Sequence, residues 1–328
     1  MSASDGISRN YHTPVMAPQT CDLLLCGDGK IFIDATLGGG GHTFRMLSLG
    51  ARVIAIDQDG DAIKESTKRL AQFIESGKLE IVRGNFRFLT DLVRNSRMGR
   101  LGKIDGILLD LGISSHQIDE ASRGFAFQSE GPLDMRMDNS GPMKATEIVN
   151  TWTLNEIANL LFNFGDEGNS RAIATEIVAS RPMNTTKELR DAICRVTPSR
   201  FTQKTLARCF QAFRIFINDE MNALKSALIA ANECLCEGGR LAVLSYHSLE
   251  DRQVKLAFQN KPSEVDVYNK EFKEGALYFT SPYSHQQYWK QVTKKAISPS
   301  NEEININSRC RSAKLRVAAK LSKMESHN

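Results

Sequence analysis

The chain has 328 residues, 41% of them apolar and 24% charged, with 23 Gly and 9 Pro. That is ordinary globular composition, which excludes disordered, collagen-like and low-complexity classes, and no apolar run reaches the ~18 residues of a membrane span. The net charge is only +4 but unevenly placed: residues 290–323 hold nine Lys/Arg against two Glu, and residues 190–214 hold six against one Asp. The first ten residues, MSASDGISRN, lack an apolar segment and carry one Arg and one Asp, which fits neither a secretory signal nor a transit peptide. Residues 31–37, 52–59, 79–86 and 104–112 are short apolar runs, separated by helically spaced residues such as Ala62, Ile63, Leu70 and Phe73. That alternation predicts an α/β fold with a parallel, Rossmann-like sheet covered on both faces. The pattern breaks after Ser115, and residues 119–216 read as mostly helical, with turns at Gly131-Pro132, Gly141-Pro142 and Arg181-Pro182. Asn218 then caps a predicted helix that carries Met221, Leu224, Leu228 and Ala231 on one face and ends at Gly238-Gly239. A strand over 240–245, a helix from Ser248, and strands near 291–297 and 313–318 complete the pattern. The expected organisation is a core of 1–118 and 217–328 interrupted by a helical domain over 119–216.

Two basic stretches in a near-neutral chain suit a polyanion partner; the plainer reading is a solvated face. The seven cysteines form no CxxC and no Cys/His cluster with zinc spacing, so no metal site is expected and reduced intracellular thiols are.

The run Asp34-Ala35-Thr36-Leu37-Gly38-Gly39-Gly40-Gly41-His42-Thr43 joins a strand to a helix. Its glycines let backbone approach a ligand, and the helix start offers free N–H groups. A P-loop needs Lys-Ser/Thr after the last glycine, where His42-Thr43 stands. A dinucleotide fingerprint needs a third glycine at Thr43. A nucleoside cofactor without a diphosphate, such as S-adenosylmethionine, stays open, as does a tight turn with no ligand. Asp57 ends the second strand, where a carboxylate can accept both ribose hydroxyls; Asp59 is its competitor. Phe86, after the third strand, is placed to stack on adenine or to join the core. Asp110 breaks an apolar strand, which is tolerable at the carboxyl edge of the sheet, and Gln117 lies just beyond. Tyr246-His247-Ser248 follows the fifth strand onto the same edge. No nucleophile elbow is present, so covalent catalysis has little support.

Eight segments together resemble the MraW-type methyltransferases: His12-Thr13-Pro14-Val15, Asp34 to His42, Leu109-Asp110-Leu111-Gly112, Arg123-Gly124-Phe125, Gly131-Pro132-Leu133-Asp134-Met135-Arg136-Met137-Asp138, Phe210 to Ile215, His247-Ser248-Leu249-Glu250-Asp251-Arg252 and Arg311 to Arg316. The resemblance implies a class I methyltransferase sheet with an inserted helical substrate-recognition domain. It implies S-adenosylmethionine-dependent methylation of N4 of a cytidine in small-subunit ribosomal RNA. Implied cofactor contacts are Gly40, Gly41, His42, Asp57, Phe86, Asp110 and Gln117. Small-subunit ribosomal RNA or the assembling subunit is the implied partner, with a homodimer as a further expectation and no membrane. The family's basic residues are missing at Gly168 and Ala172, in the stretch Gly165 to Ala174. The tail from Trp289 to Pro299 and Phe213-Arg214-Ile215-Phe216 resemble the mitochondrial branch, so the matrix or a bacterial cytoplasm is expected.

Cytosine N4 is a poor nucleophile, and an acceptor on one of its hydrogens would stabilise the developing positive charge. Asp110 is the first candidate for that acceptor, ahead of His247, Ser114 and Ser115; the plain reading of His247 is a structural hydrogen bond. Asp134, Arg136 and Asp138 alternate, so they either grip RNA or form an internal scaffold. The rival functions are a non-catalytic RNA-binding assembly factor and an amino-methyltransferase acting on another nucleic acid.

Overall fold

A computed structural model describes residues 14–261 and 288–322. His12, Thr13, the leader reading and Lys323 lie outside the described residues. The chain divides into two compact units: residues 113–224 form one, and the described residues before and after them, 14–112, 225–261 and 288–322, form the other.

The discontinuous unit holds strands β1 (Ile31–Asp34), β2 (Arg52–Asp57), β3 (Leu79–Arg83), β4 (Ile104–Asp110), β5 (Leu235–Ser245), β6 (Trp289–Gln291) and β7 (Lys314–Lys320). Among the described residues they form one sheet in the order β3-β2-β1-β4-β5-β7-β6. β1 to β5 run parallel, and β7 lies antiparallel to both neighbours. This is the expected Rossmann-like sheet, with an antiparallel pair at one edge. All four residues of β1 and the central four of β2 are buried. Successive strand residues point to opposite faces, so continuous burial means that both faces are covered, which is why the sequence shows apolar runs rather than alternation. Helices α1 (Ala17–Leu24), α2 (Gly41–Ser48), α3 (Gly60–Arg69), α4 (Ala71–Glu75) and α5 (Leu89–Asn95) belong to this unit. Its core gathers Leu24, Phe32, Met46, Leu70, Leu108 and Val317.

The other unit is helical: α6 (Ser115–Asp119), α7 (Ala145–Thr151), α8 (Leu154–Gly165), α9 (Ser170–Ala179), α10 (Thr186–Arg195) and α11 (Thr202–Ile217). Capping boxes start α8 and α10, at Thr153 with Glu156 and at Thr185 with Glu188. These satisfy N–H groups that a helix start otherwise leaves open. Ile148, Leu160, Leu161, Ile173, Ile177, Leu189, Ile193 and Phe213 are fully buried in a core of its own.

Three expectations change. Asn218 does not start a helix; it follows α11, and its side chain accepts from the Met137 N–H at 2.7 Å while donating to the Met135 and Arg214 carbonyls, each at 2.9 Å. The next helix, α12 (Glu220–Cys234), ends before Gly238-Gly239, and β5 begins at Leu235. The glycines instead sit in an irregularity of β5, where pairing jumps from Ile104 with Leu235 to Gly106 with Arg240 and Gly238 takes φ 74. A glycine pair marks a bulge as readily as a helix stop. The edge strand β6 lies at Trp289–Gln291 rather than 291–297, and Ile297 makes only a bridge to Leu315. Beyond β5, α13 (Ser248–Phe258) starts where expected. All seven cysteines are free, and among the described residues no helix is long and apolar enough to cross a membrane.

Candidate functional site

The turn between β1 and α2 has glycines for two separate reasons. Gly38 and Gly40 take φ 47 and 72, a region that side-chain-bearing residues rarely adopt. A Cβ on Gly41 would instead meet Pro14 Cβ at 2.9 Å. Asp57 ties this turn to the end of β2. Its Oδ2 accepts the Gly38 N–H at 2.7 Å and its Oδ1 the Asp59 N–H at 2.9 Å. Each oxygen keeps a further lone pair for a hydroxyl. Asp59 caps α3, accepting the Asp61 N–H at 3.0 Å, so the structure separates the roles of the two acids. Burial pushes the Asp57 carboxyl up to about 6, against the opposing pull of its two N–H donors.

Asp110 ends β4, next to β1, at the point where the strand order reverses. Open α/β sheets bind ligands at the carboxyl ends of strands at such a switch point. Two rings hold the carboxylate. Tyr246 Oη donates to Oδ1 at 2.8 Å. His42 Nε2 lies 3.3 Å from Oδ2, an ion-pair contact without hydrogen-bond alignment. The Asp110 N–H donates to Thr36 Oγ1 at 2.7 Å. Beneath them Asp34 is buried and accepts from Thr43 Oγ1 at 2.7 Å. Burial alone would lower the His42 pKa, but the contact with Asp110 and the charges of Asp110 and Asp34 raise it overall. Burial and the Asp110 charge hold the Tyr246 hydroxyl well above its ordinary value, so it stays a proton donor. His42 Nδ1 is buried with no hydrogen-bond partner among the described residues. Three carboxyls close neighbouring strands on this edge. Such an edge suits a ligand that brings hydroxyls and positive charge and repels a diphosphate.

The remaining predicted residues fall in different places. Phe86 opens a short 3₁₀ turn, Phe86–Phe88, after β3 and is half-buried. Gln117 belongs to the helical unit, where its Oε1 accepts the Ser114 N–H at 3.0 Å and its own N–H donates to Ser114 Oγ at 3.2 Å. This capping box starts α6, with Ser115 as its first residue. His247 likewise caps α13: Nδ1 accepts the Glu250 N–H at 3.4 Å, and Nε2 lies 3.1 Å from Glu250 Oε1. Its ring thus takes part in a helix start, which favours the plain structural reading of this residue. Sequence reasoning placed Tyr246 on this edge but gave it no role. The register that pairs Asp110 with Leu244 brings Tyr246 alongside, and the signal was an aromatic immediately after a strand neighbouring β4.

The loop from Arg123 to Asp138 is bonded to itself. Arg136 forms a two-pronged pair with Asp134, at 2.7 and 2.8 Å, and donates to the Gly141 carbonyl at 2.7 Å. Arg123 donates to the Arg136 and Met137 carbonyls at 3.1 and 2.9 Å. Asp138 accepts from the Ser140 N–H and hydroxyl. Of the two readings of this loop, these contacts favour the scaffold.

The MraW methylase family model matches residues 9–321. The ribosomal RNA small subunit methyltransferase H of Carboxydothermus hydrogenoformans is 40% identical over 317 residues, covering 95% of this chain and 98% of that one. The proteins of the same name from Prosthecochloris aestuarii and Chloroherpeton thalassium are each 42% identical, over 325 and 328 residues, with coverage of 94% and 95% of this chain and 95% and 99% of theirs. A solved rRNA methylase from Streptococcus thermophilus is more distant: 14% identity, TM-score 0.37, covering 93% of this chain and 94% of that one.

Proposed function

The chain belongs to the MraW methylase family, and from that premise we propose that it transfers a methyl group from S-adenosylmethionine to N4 of a cytidine in small-subunit ribosomal RNA. The observation that carries the reading is Asp110 at the switch point, with Tyr246 on one carboxylate oxygen and His42 beside the other. The residues of this edge fit the cofactor: acceptors for a ribose diol, carboxylate charge for cationic groups, a glycine turn for close approach and a buried, unpartnered His42 Nδ1. Gly40, Gly41, His42, Asp57, Phe86 and Asp110 would hold it; the resemblance adds Gln117, which belongs to the helical unit. When bound, it supplies an activated methyl on a positive sulfur.

The chain's own task is alignment and charge. Asp110 accepts an N4 hydrogen of the target base, drawing the nitrogen lone pair out of ring conjugation. Tyr246 and His42 keep the carboxylate from rotating away. As nitrogen gains its methyl it becomes cationic, and Asp110 takes the proton that must leave. The base reaches such an edge only when unstacked, as in other base-modifying enzymes. The helical unit recognises the RNA in this proposal, although Gly168 and Ala172 remove two basic contacts of the family pattern. The partner is ribosomal RNA or the assembling subunit, in a bacterial cytoplasm or mitochondrial matrix. A homodimer belongs to the proposal and is decided by the mass in light scattering.

The test is transfer of labelled methyl to small subunits that lack the mark, read by nucleoside mass spectrometry. N4-methylated cytidine is expected from the wild-type chain and none from Asp110→Ala. Retention of the RNA by the wild-type chain without transfer would establish the assembly-factor reading instead, and label on DNA alone the other nucleic-acid reading.

A further inference from the structure

We infer that a basic cavity on the far edge of the sheet from the glycine turn holds a backbone phosphate of the RNA, as a second anchor separate from the methyl-transfer site. The cavity, of about 520 Å³, lies where the amino half of β5 meets β6 and the end of β7. Arg240, Lys290 and Lys320 line it together with Gln291 and Ser322, and no carboxylate is among the lining residues. Arg240 faces the cavity from β5, four residues before Leu244, the partner of Asp110. At ~3.3 Å per residue that is about 13 Å along the strand from the Asp110 register. β7 runs antiparallel and brings Lys320 back to the same end, pairing with Trp289 beside Lys290.

The charge on these residues is unbalanced. Lys314 and Arg316, from the same basic stretch, both close on the buried Asp251 carboxyl, at 3.1 and 2.7 Å. They are a structural ion pair. Among the described residues, no acid pairs with the cavity cations. Arg240 Nη1 donates to the Leu23 carbonyl at 2.6 Å and Lys320 Nζ to the Leu235 carbonyl at 2.7 Å. These bonds aim the cations and leave each with further protons to donate. Lys290 is exposed at the rim. Three cations converging on a concave surface with no carboxylate among its lining residues raise the local positive potential and favour an anion. A guanidinium and two ammonium groups are phosphate donors. A polyanion partner is already required by the proposed function, on which this inference rests, so RNA backbone is the occupant.

The experiment measures binding of a fluorescently labelled 20-nucleotide single-stranded RNA by anisotropy across a salt series. It compares the wild-type chain, Lys290→Glu/Lys320→Glu, and Lys64→Glu/Lys68→Glu on exposed α3 as a control of equal charge change. The cavity variant should bind about tenfold more weakly at 0.1 M salt, and its log–log salt slope should be shallower by about two. The control should stay within about threefold of wild type. Equal affinity and slope in wild type and cavity variant would overturn the inference, as would an equal loss in the control. Inorganic pyrophosphate binding at this site by calorimetry, without any RNA effect of the substitutions, would assign it to free phosphates and overturn it too. S-adenosylmethionine uptake reports folding; if Lys320→Glu disturbs it, Lys290→Glu alone carries the test, with about a threefold loss expected. Labelled-methyl transfer at saturating RNA separates the two proposals: transfer with unchanged RNA affinity removes the anchor alone, whereas no transfer by the wild-type chain removes the function it rests on.

Discussion

The carboxyl edge of the sheet and the loop from Arg123 to Asp138 are both dense in polar residues, yet they use them in opposite ways. On the sheet edge, each oxygen of Asp57 and Asp110 is met by a single neighbour and keeps a further lone pair for a ligand. In the loop, Asp134, Arg136 and Arg123 direct their hydrogen bonds at one another and at the loop's own carbonyls. The loop carries one of the two most family-specific strings of the chain, residues 131–138, while a glycine run alone is common to many nucleotide-binding turns. A distinctive motif can therefore mark a fold requirement, and the chemistry can sit in a plainer segment.

The strongest way to break this contrast is Asp110→Ala. Methyl transfer should fall by at least ~10³-fold with RNA retention intact, since the acceptor on N4 is lost. A fall below tenfold would place the chemistry elsewhere. Arg136→Ala should act on stability instead. The Arg136–Asp134 pair is only 15% and 17% exposed, so leaving Asp134 with only the more exposed Lys144, at 3.7 Å, should cost about 2 kcal/mol in urea unfolding. Cofactor affinity of the folded variant should not change. If stability were unaltered and RNA affinity collapsed, the loop would be a binding surface after all.

The Asp57 carboxyl sharpens the contrast through pH. Its pKa is raised to about 6 by burial, from 3.8, so the folded chain holds a proton there that the unfolded chain has lost. The ligand-free protein should thus lose stability as pH rises from about 4 to 6. Cofactor binding through the ionised carboxylate should move the other way, strengthening by up to about tenfold per unit below pH 6 and levelling off above it. Titration calorimetry from pH 5 to 8 reads this, and Asp57→Asn should flatten it. The smallest effect is expected at Gly168→Arg. A Cβ there meets nothing within 4 Å, so stability should change by less than about 0.5 kcal/mol. RNA affinity should rise about threefold if the helical unit contacts phosphates.

The sheet was largely legible in the sequence because buried parallel strands read as apolar runs. Strands β1 to β4 begin at the residues where their runs begin, Ile31, Arg52, Leu79 and Ile104. Their ends were read two or three residues late, since a chain leaving a buried strand stays apolar, as at Leu37. The amino half of β5 was hidden because Gly238-Gly239 carries the same residues as a helix stop. Asn218 was misread for a similar reason: a capping residue type fits either side of a helix boundary, and only the loop it stitches distinguishes them. At the site, Asp57 and Asp110 were legible as acids ending apolar strands. Tyr246 was legible only as a residue of the same edge, because its bond to Asp110 depends on β4 and β5 being neighbours across more than a hundred intervening residues. His247 drew notice as a titratable residue on the right edge, but its spacing to Glu250 spells a capping box.

Calorimetric titration of S-adenosylmethionine into the folded wild-type chain and into Asp57→Ala tests the sheet-edge reading most directly. One site per chain in the wild type, weakened at least tenfold in the variant, is the expected result. No heat of binding to the wild type, or the same affinity in both, would contradict it.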